Sequence, residues 1–91
     1  LVSVTTVTLT VAGWDSNNTQ TVNVTGVTAT NAVIVTYAPA SKSAYTSADI
    51  YCSAQGAGTL TFNCTTKPTV AVNVNVMIFV GTVQNATGVS F

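Results

Sequence analysis

DIYCSAQGAGTLTFNCTT, residues 49 to 66, reads as a β-hairpin: two runs rich in β-branched and aromatic residues flank the Gly-rich turn Gly56-Ala57-Gly58. With the turn centred on Gly58, Ile50 faces Thr66, Cys52 faces Cys64 and Ala54 faces Phe62. Side chains alternate across a strand, so Ile50, Cys52, Ala54, Leu60, Phe62 and Cys64 share one face. Tyr51, Ser53, Gln55, Thr61, Asn63 and Thr65 take the other. A single register therefore gives an apolar face, a mostly polar face and the two cysteines side by side. This is the pattern of a half-buried antiparallel pair within a larger β-protein.

The rest of the chain repeats the pattern. Val2, Val4, Val7, Leu9 and Val11 mark a first strand, whose apolar parity changes at Thr5-Thr6 and predicts a β-bulge or a break there. Ala12 to Gln20, with Gly13, Asp15, Ser16 and two Asn, reads as a turn segment. Thr21 to Thr25 is a second strand with Val22 and Val24 inward. Ala32 to Ala38 is a third, apolar on both faces at Val33-Ile34-Val35. Pro39 ends it, and residues 40–48 form a small-residue connector with room for one helical turn. Val70 to Val80 is the longest alternating run, again apolar on both faces from Met77 onward. The segment 81–91 is expected to add an edge strand or to reach another subunit. Six to seven short strands with regular turn signals predict an all-β fold, a small antiparallel β-sandwich of Ig-like or jelly-roll-like kind. The doubly apolar stretches, Val33–Val35 and Met77–Val80, are where subunit contacts are expected.

Ninety-one residues form a single domain, 1–91, near the small end of what folds alone. Thr (18) and Val (16) fill over a third of it, which favours strands over helices. The ionisable side chains at neutral pH are Asp15, Lys42, Asp49 and Lys67, and the formal net charge is zero. Such a surface repels nothing, copies of itself included, and suits a component of an assembly. Two lysines cannot neutralise a nucleic-acid backbone, so nucleic acid is excluded as a partner. No unbroken apolar window is long enough to span a bilayer, so membrane insertion is not expected. The start, LVSVTTVTLTV, lacks the pattern of a signal peptide and an initiator Met, as expected of a terminal module of a longer chain.

Chemistry-bearing residues are few. Cys52 and Cys64 are a candidate disulfide worth about 3 kcal/mol by the chain-entropy estimate. Packing as two small buried thiols is the equal alternative. Two cysteines, two Asp and no His do not complete a zinc site, so no metal or cofactor is expected. With no His, Glu or Arg, a Ser or Thr nucleophile has no evident base, and the reading is not an enzyme. Trp14, in a polar turn, either stacks on a sugar ring or caps the core. Lys42 and Tyr45, in the 40–48 connector, are the other candidate surface contacts.

Three stretches carry a family resemblance: AGW (12–14), TVNVTGVTATNAVIVTYAPAS (21–41) and DIYCSAQGAGTLTFNCTTKPTVAVNVNVMIF (49–79). Together they cover most of residues 7–80. The chain resembles a small β-domain of phage and prophage structural proteins from gut-type Gram-positive bacteria, where such a domain ends a tail, fibre or collagen-like chain. The phrases VTGVTATN (24–31), APAS (38–41) and SAQGAGTLTF (53–62) are its most particular parts. The resemblance implies a non-enzymatic virion or fibre domain, a homotrimer, with attachment to a host-surface glycan or protein as its further role. It implies location in an extracellular particle and carries over no binding residue. A carbohydrate-binding module of a bacterial surface adhesin, acting through Trp14 and Tyr45, is the expectation from a different class.

Overall fold

The computed structural model describes residues 1–80, and the segment expected to extend the fold at 81–91 lies outside them. Six strands run in the order β1 (Val2–Leu9), β2 (Thr19–Asn23), β3 (Val33–Tyr37), β4 (Tyr51–Gly56), β5 (Thr59–Asn63) and β6 (Val72–Phe79). A 3₁₀ turn at Pro39–Ser41 and a short helix, α1 (Lys42–Ser47), separate β3 from β4. All pairings are antiparallel, in two three-stranded sheets ordered β1-β6-β3 and β2-β5-β4. The all-β, sandwich-like architecture is the one the alternation predicts.

Strand β6 is the middle of the first sheet and carries the core. Val72, Val74, Val76 and Ile78 are wholly buried, as their alternation requires. Across from them lie Leu60 and Phe62 of β5, with Ile50, Cys64, Ala48, Trp14, Val24 and Val27 closing the cluster. The outward residues of β6 pair with threonines of β1: Thr6 Oγ1 donates to Asn75 Oδ1 at 3.0 Å, and Thr8 Oγ1 to Asn73 Oδ1 at 2.7 Å. On the second sheet, Thr21 and Thr61 hydroxyls meet at 3.0 Å and Asn63 Nδ2 donates to Thr19 Oγ1. Short polar pairs thus occupy the outer positions where other proteins place charges.

Strand β1 corrects the expected bulge. Its pairing with β6 is regular from Val2↔Phe79 to Leu9↔Val72. The parity change at Thr5-Thr6 arises because Val2 and Val4 share the outer face with Met77 and Phe79, while Val7 and Leu9 face inward. The inward positions at Ser3 and Thr5 are exposed, so small polar residues suffice there.

The hairpin read at residues 49–66 is present, with a different register. Tyr51 faces Asn63 and Cys52 faces Phe62; then Ser53 bulges, and Ala54, Gln55 and Gly56 face Thr61, Leu60 and Thr59. The turn is the two-residue Ala57-Gly58, and Gly58 adopts a φ of +74° that an L side chain resists. Its N–H and C=O bond to Val27 O and from Val24 N, both at 2.8 Å, docking the turn on the β2–β3 loop. The bulge reverses the faces beyond it: Ala54 points out, and Gln55 turns in. There Gln55 Nε2 donates to Thr28 O and Asn31 O, both at 2.8 Å, tying β4 to the same loop.

Two other departures have the same origin in polar satisfaction. Strand β2 begins at Thr19, inside the expected turn, and Gln20 is buried. Gln20 Oε1 accepts from Thr10 N at 3.0 Å and its Nε2 donates to Thr10 O at 3.1 Å, replacing a ladder pair with a side-chain amide. Gly13 leaves room for this clamp, because a Cβ there would lie 2.5 Å from the Gln20 amide. Helix α1 fills the connector and ends in a Schellman motif: Ile50 N bonds Tyr45 O, Asp49 N bonds Thr46 O, and Asp49 takes a φ of +54°. Where β3 stops, the buried Ser41 Oγ accepts from Asn73 N at 2.9 Å and completes the ladder of β6.

Replacing Gln20 by Leu keeps the volume but orphans the Thr10 N–H and C=O. The expected loss is about 1–3 kcal/mol, read as a lower urea midpoint at unchanged slope. Thr8→Val, on the exposed outer face, is expected to change stability by no more than about 0.5 kcal/mol in the same assay.

Candidate functional site

The residues singled out from sequence fall into separate neighbourhoods. Trp14 is buried, only 6% exposed, and packs in the core cluster, so its ring is not offered to a sugar. Its Nε1 has no hydrogen-bond partner among the described residues. Lys42 is exposed at the first position of α1. Tyr45 sits one turn later on the same helix, half-buried, its ring centroid 5.6 Å from that of Tyr37 at a tilt of 55°. Desolvation, then the neighbouring Cys52, push the Tyr45 hydroxyl above its ordinary pKa.

Tyr45 helps line an open groove of about 450 Å³ whose walls also include Val33 and Val35 of β3 and Tyr51, Cys52 and Gln55 of β4. Three of its polar side chains, Cys52, Ser53 and Gln55, are already engaged within the fold. Gln55 Nε2 bonds the β2–β3 loop, and Cys52 Sγ points to Ala54 O at 3.6 Å. The groove holds no carboxylate and no cationic side chain; Tyr45 and Tyr51 are the aromatic residues of its wall.

The direct pairing of Cys52 with Cys64 is corrected twice over: the two-residue Ala57-Gly58 turn shifts the register by one, and the Ser53 bulge shifts it by one more. Cys52 opposes Phe62, Cys64 lies just past the end of β5, and both are free thiols. Cys64 is buried in the core and Cys52 half-buried. Burial raises both thiol pKa values; backbone hydrogen bonds partly offset this at Cys52, and Lys67 partly offsets it at Cys64. The thiols pack as small hydrophobes and are poor nucleophiles at neutral pH.

Asp15 and Asp49 belong to one end of the sandwich. Asp15 Oδ1 accepts from Asn17 N at 2.8 Å and Thr19 N at 3.0 Å, shaping the loop before β2. Asn18 Nδ2 donates to Thr65 O, and Thr65 Oγ1 donates to Asp49 Oδ2 at 2.9 Å. Both carboxylates are thus engaged in holding turns. Among the described residues there is no group of three or more His, Cys, Asp or Glu that could hold a metal ion, and no helix is long and apolar enough to cross a membrane.

What the topology does bring together is apolar. Ile34 of β3, Met77 of β6 and Val4 of β1 form one row across the outer face of the first sheet, with Phe79 and Val2 in the next. All five are more than a third exposed, Val4 at 63%. The doubly apolar stretches at 33–35 and 77–80 signal two of the three strands in this patch. The contribution of β1 is hidden behind the parity change, which marks the outer face and not a bulge.

No family model, no curated protein and no solved structure matches the chain.

Free, neutral thiols have a direct consequence for stability against pH. A thiol whose folded pKa is raised ionises more readily in the unfolded chain, so its stabilisation is complete below the ordinary value of 9.0 and is lost as pH rises through the folded value. The urea midpoint is expected to fall as pH rises above about 9, and Cys64→Ala to flatten that fall. Titration with a thiol reagent in urea, without reductant, should find both cysteines reactive; in the folded protein Cys52 should react before Cys64.

Proposed function

We propose that the chain is a non-enzymatic structural domain of a phage virion, from a tail fibre, capsid fibre or decoration, that assembles with copies of itself and contributes to host attachment. The observation that carries this reading is the outer face of the first sheet. Val2, Val4, Ile34, Met77 and Phe79 form a contiguous exposed apolar surface on the first sheet, beside the Thr6–Asn75 and Thr8–Asn73 pairs of the same face. Exposed apolar patches of this kind on a small domain mark contact surfaces. The scarcity of charge supports the same reading, since nothing on the surface opposes close packing of copies. The resemblance of VTGVTATN (24–31), APAS (38–41) and SAQGAGTLTF (53–62) to phage and prophage fibre domains is what suggests this class of particle.

The reactive-group inventory supports a role without catalysis: two raised-pKa thiols, two turn-holding aspartates and no His offer no nucleophile with a base. The adhesin reading through Trp14 has less support, because that ring is in the core. Mass spectrometry of gradient-purified phage particles, induced from a strain carrying the gene, is expected to recover peptides of this chain in the virion fraction. Recovery from the cell-wall fraction alone overturns the virion reading in favour of the adhesin.

A further inference from the structure

Strand β1 lies at the edge of its sheet, and its hydrogen-bonding sense follows from its neighbours. Val80 N donates to Leu1 O at 2.9 Å, so Leu1 and Val80 are a hydrogen-bonded pair. Such pairs alternate along an antiparallel ladder, so Ser3, Thr5 and Val7 bond toward β6. The N–H and C=O groups of Val2, Val4 and Thr6 point away from β6, to an edge that no strand among the described residues pairs. Phe79 N bonding Ala32 O, and Ala38 N bonding Asn73 O, on the far side of β6 fit the same alternation.

The four edges of the two sheets are not alike. Strand β4 is broken by the Ser53 bulge, β3 has five residues and runs into Pro39, and β2 has five residues beside the Gln20 clamp. Bulges, prolines and short length are the devices that keep an edge from pairing. Strand β1 has eight residues without a charge, Gly, Pro or bulge, and Val2 to Thr6 are all exposed.

From this geometry we propose that β1 pairs antiparallel with β1 of a second copy, about a two-fold axis through Val4. The proposal rests on the reading of the chain as a self-assembling domain and names the surface. The register follows from the two observations together. Pairing Val4 with Val4 of the other copy, and Val2 with Thr6, brings three residue pairs into the hydrogen-bonded position, each exchanging two bonds. It uses the segment that is exposed, and it stops before the Thr10–Gln20 clamp occupies the far end of the strand. It also continues the outer row Ile34–Met77–Val4 into Val4–Met77–Ile34 of the second copy, an unbroken apolar row across six strands. The occupant is self-complementary in backbone polarity, in side-chain character and in charge, since the four ionisable side chains all lie outside β1, β3 and β6. A two-fold pair differs from the trimer that the family resemblance implies.

Light scattering on size-exclusion eluates, from about 10 μM to 1 mM protein, is expected to show a species of twice the 9.3 kDa chain mass. Val4→Lys, which puts like charges face to face on the axis, and Thr6→Pro, which removes an outward N–H and leaves the β6 ladder whole, should each weaken pairing at least about tenfold. Thr61→Lys, on the outer face of the other sheet, should leave it unchanged. Near-ultraviolet circular dichroism of Trp14 reports folding; if Thr6→Pro unfolds, Val4→Lys decides. A monomer at every concentration overturns both the pairing and the self-assembly reading. A multimer that neither substitution weakens, or a three-fold one, overturns the β1 pairing and leaves self-assembly standing.

Discussion

The strict alternation of β6 is the constraint on which the molecule depends. Its four inward residues, Val72, Val74, Val76 and Ile78, are wholly buried in the middle of a three-stranded sheet. Each such side chain is worth about 1.5–3 kcal/mol when buried. A slip of one residue would expose all four and bury Asn73 and Asn75 in their place. The register of β6 therefore sets the registers of β1 and β3, and with them the whole outer face of the sheet. One half of that face holds the Thr6–Asn75 and Thr8–Asn73 pairs, and the other holds Val2, Val4, Ile34, Met77 and Phe79. The surface chemistry of the domain is a consequence of how its core is anchored.

Alternation is also the signal most easily read from the chain, which is why the strands and the sandwich are legible in it. What alternation does not carry is the long-range satisfaction of polar groups. The hairpin at 49–66 looks symmetric because local spacing cannot weigh Gln55 against Thr28 and Asn31, more than twenty residues away. Once those two carbonyls need a donor, a bulge at Ser53 is the local change that turns Gln55 inward. The same blindness hides Gln20, a residue expected in a turn that instead substitutes for a ladder pair beside Thr10. The cysteine pairing inferred from symmetry is lost with that symmetry.

The candidate site is legible to a different degree. Two of its stretches, 33–35 and 77–80, stand out because they are apolar on both faces, and cross-strand pairing brings them together at Ile34 and Met77. Val2 and Val4 do not stand out, because a parity change has two physical causes: an inserted residue, or a strand that outruns the sheet packed beneath it. Only the regular pairing of β1 separates them. Trp14 shows the converse limit. A tryptophan flanked by Gly, Asp, Ser and Asn looks like a surface ring, yet the turn folds it back over the core.

An uncharged β-domain must manage its edges without the lysines that commonly guard them. Here backbone geometry replaces charge: the Ser53 bulge breaks β4, Pro39 curtails β3, and a glutamine clamp closes off the short β2. The bulge thus has two effects from one inserted residue, satisfying the β2–β3 loop through Gln55 and spoiling an edge. No such device falls on β1, and its exposed half contributes little to the core, since Ser3 and Thr5 face inward yet stay exposed. That combination separates stability from recognition. The core holds β1 by Val7 and Leu9, while Val2, Val4 and Thr6 present backbone groups that no described residue pairs and Val2 and Val4 continue an apolar row, so a partner strand adds to the sheet without repacking anything the fold relies on.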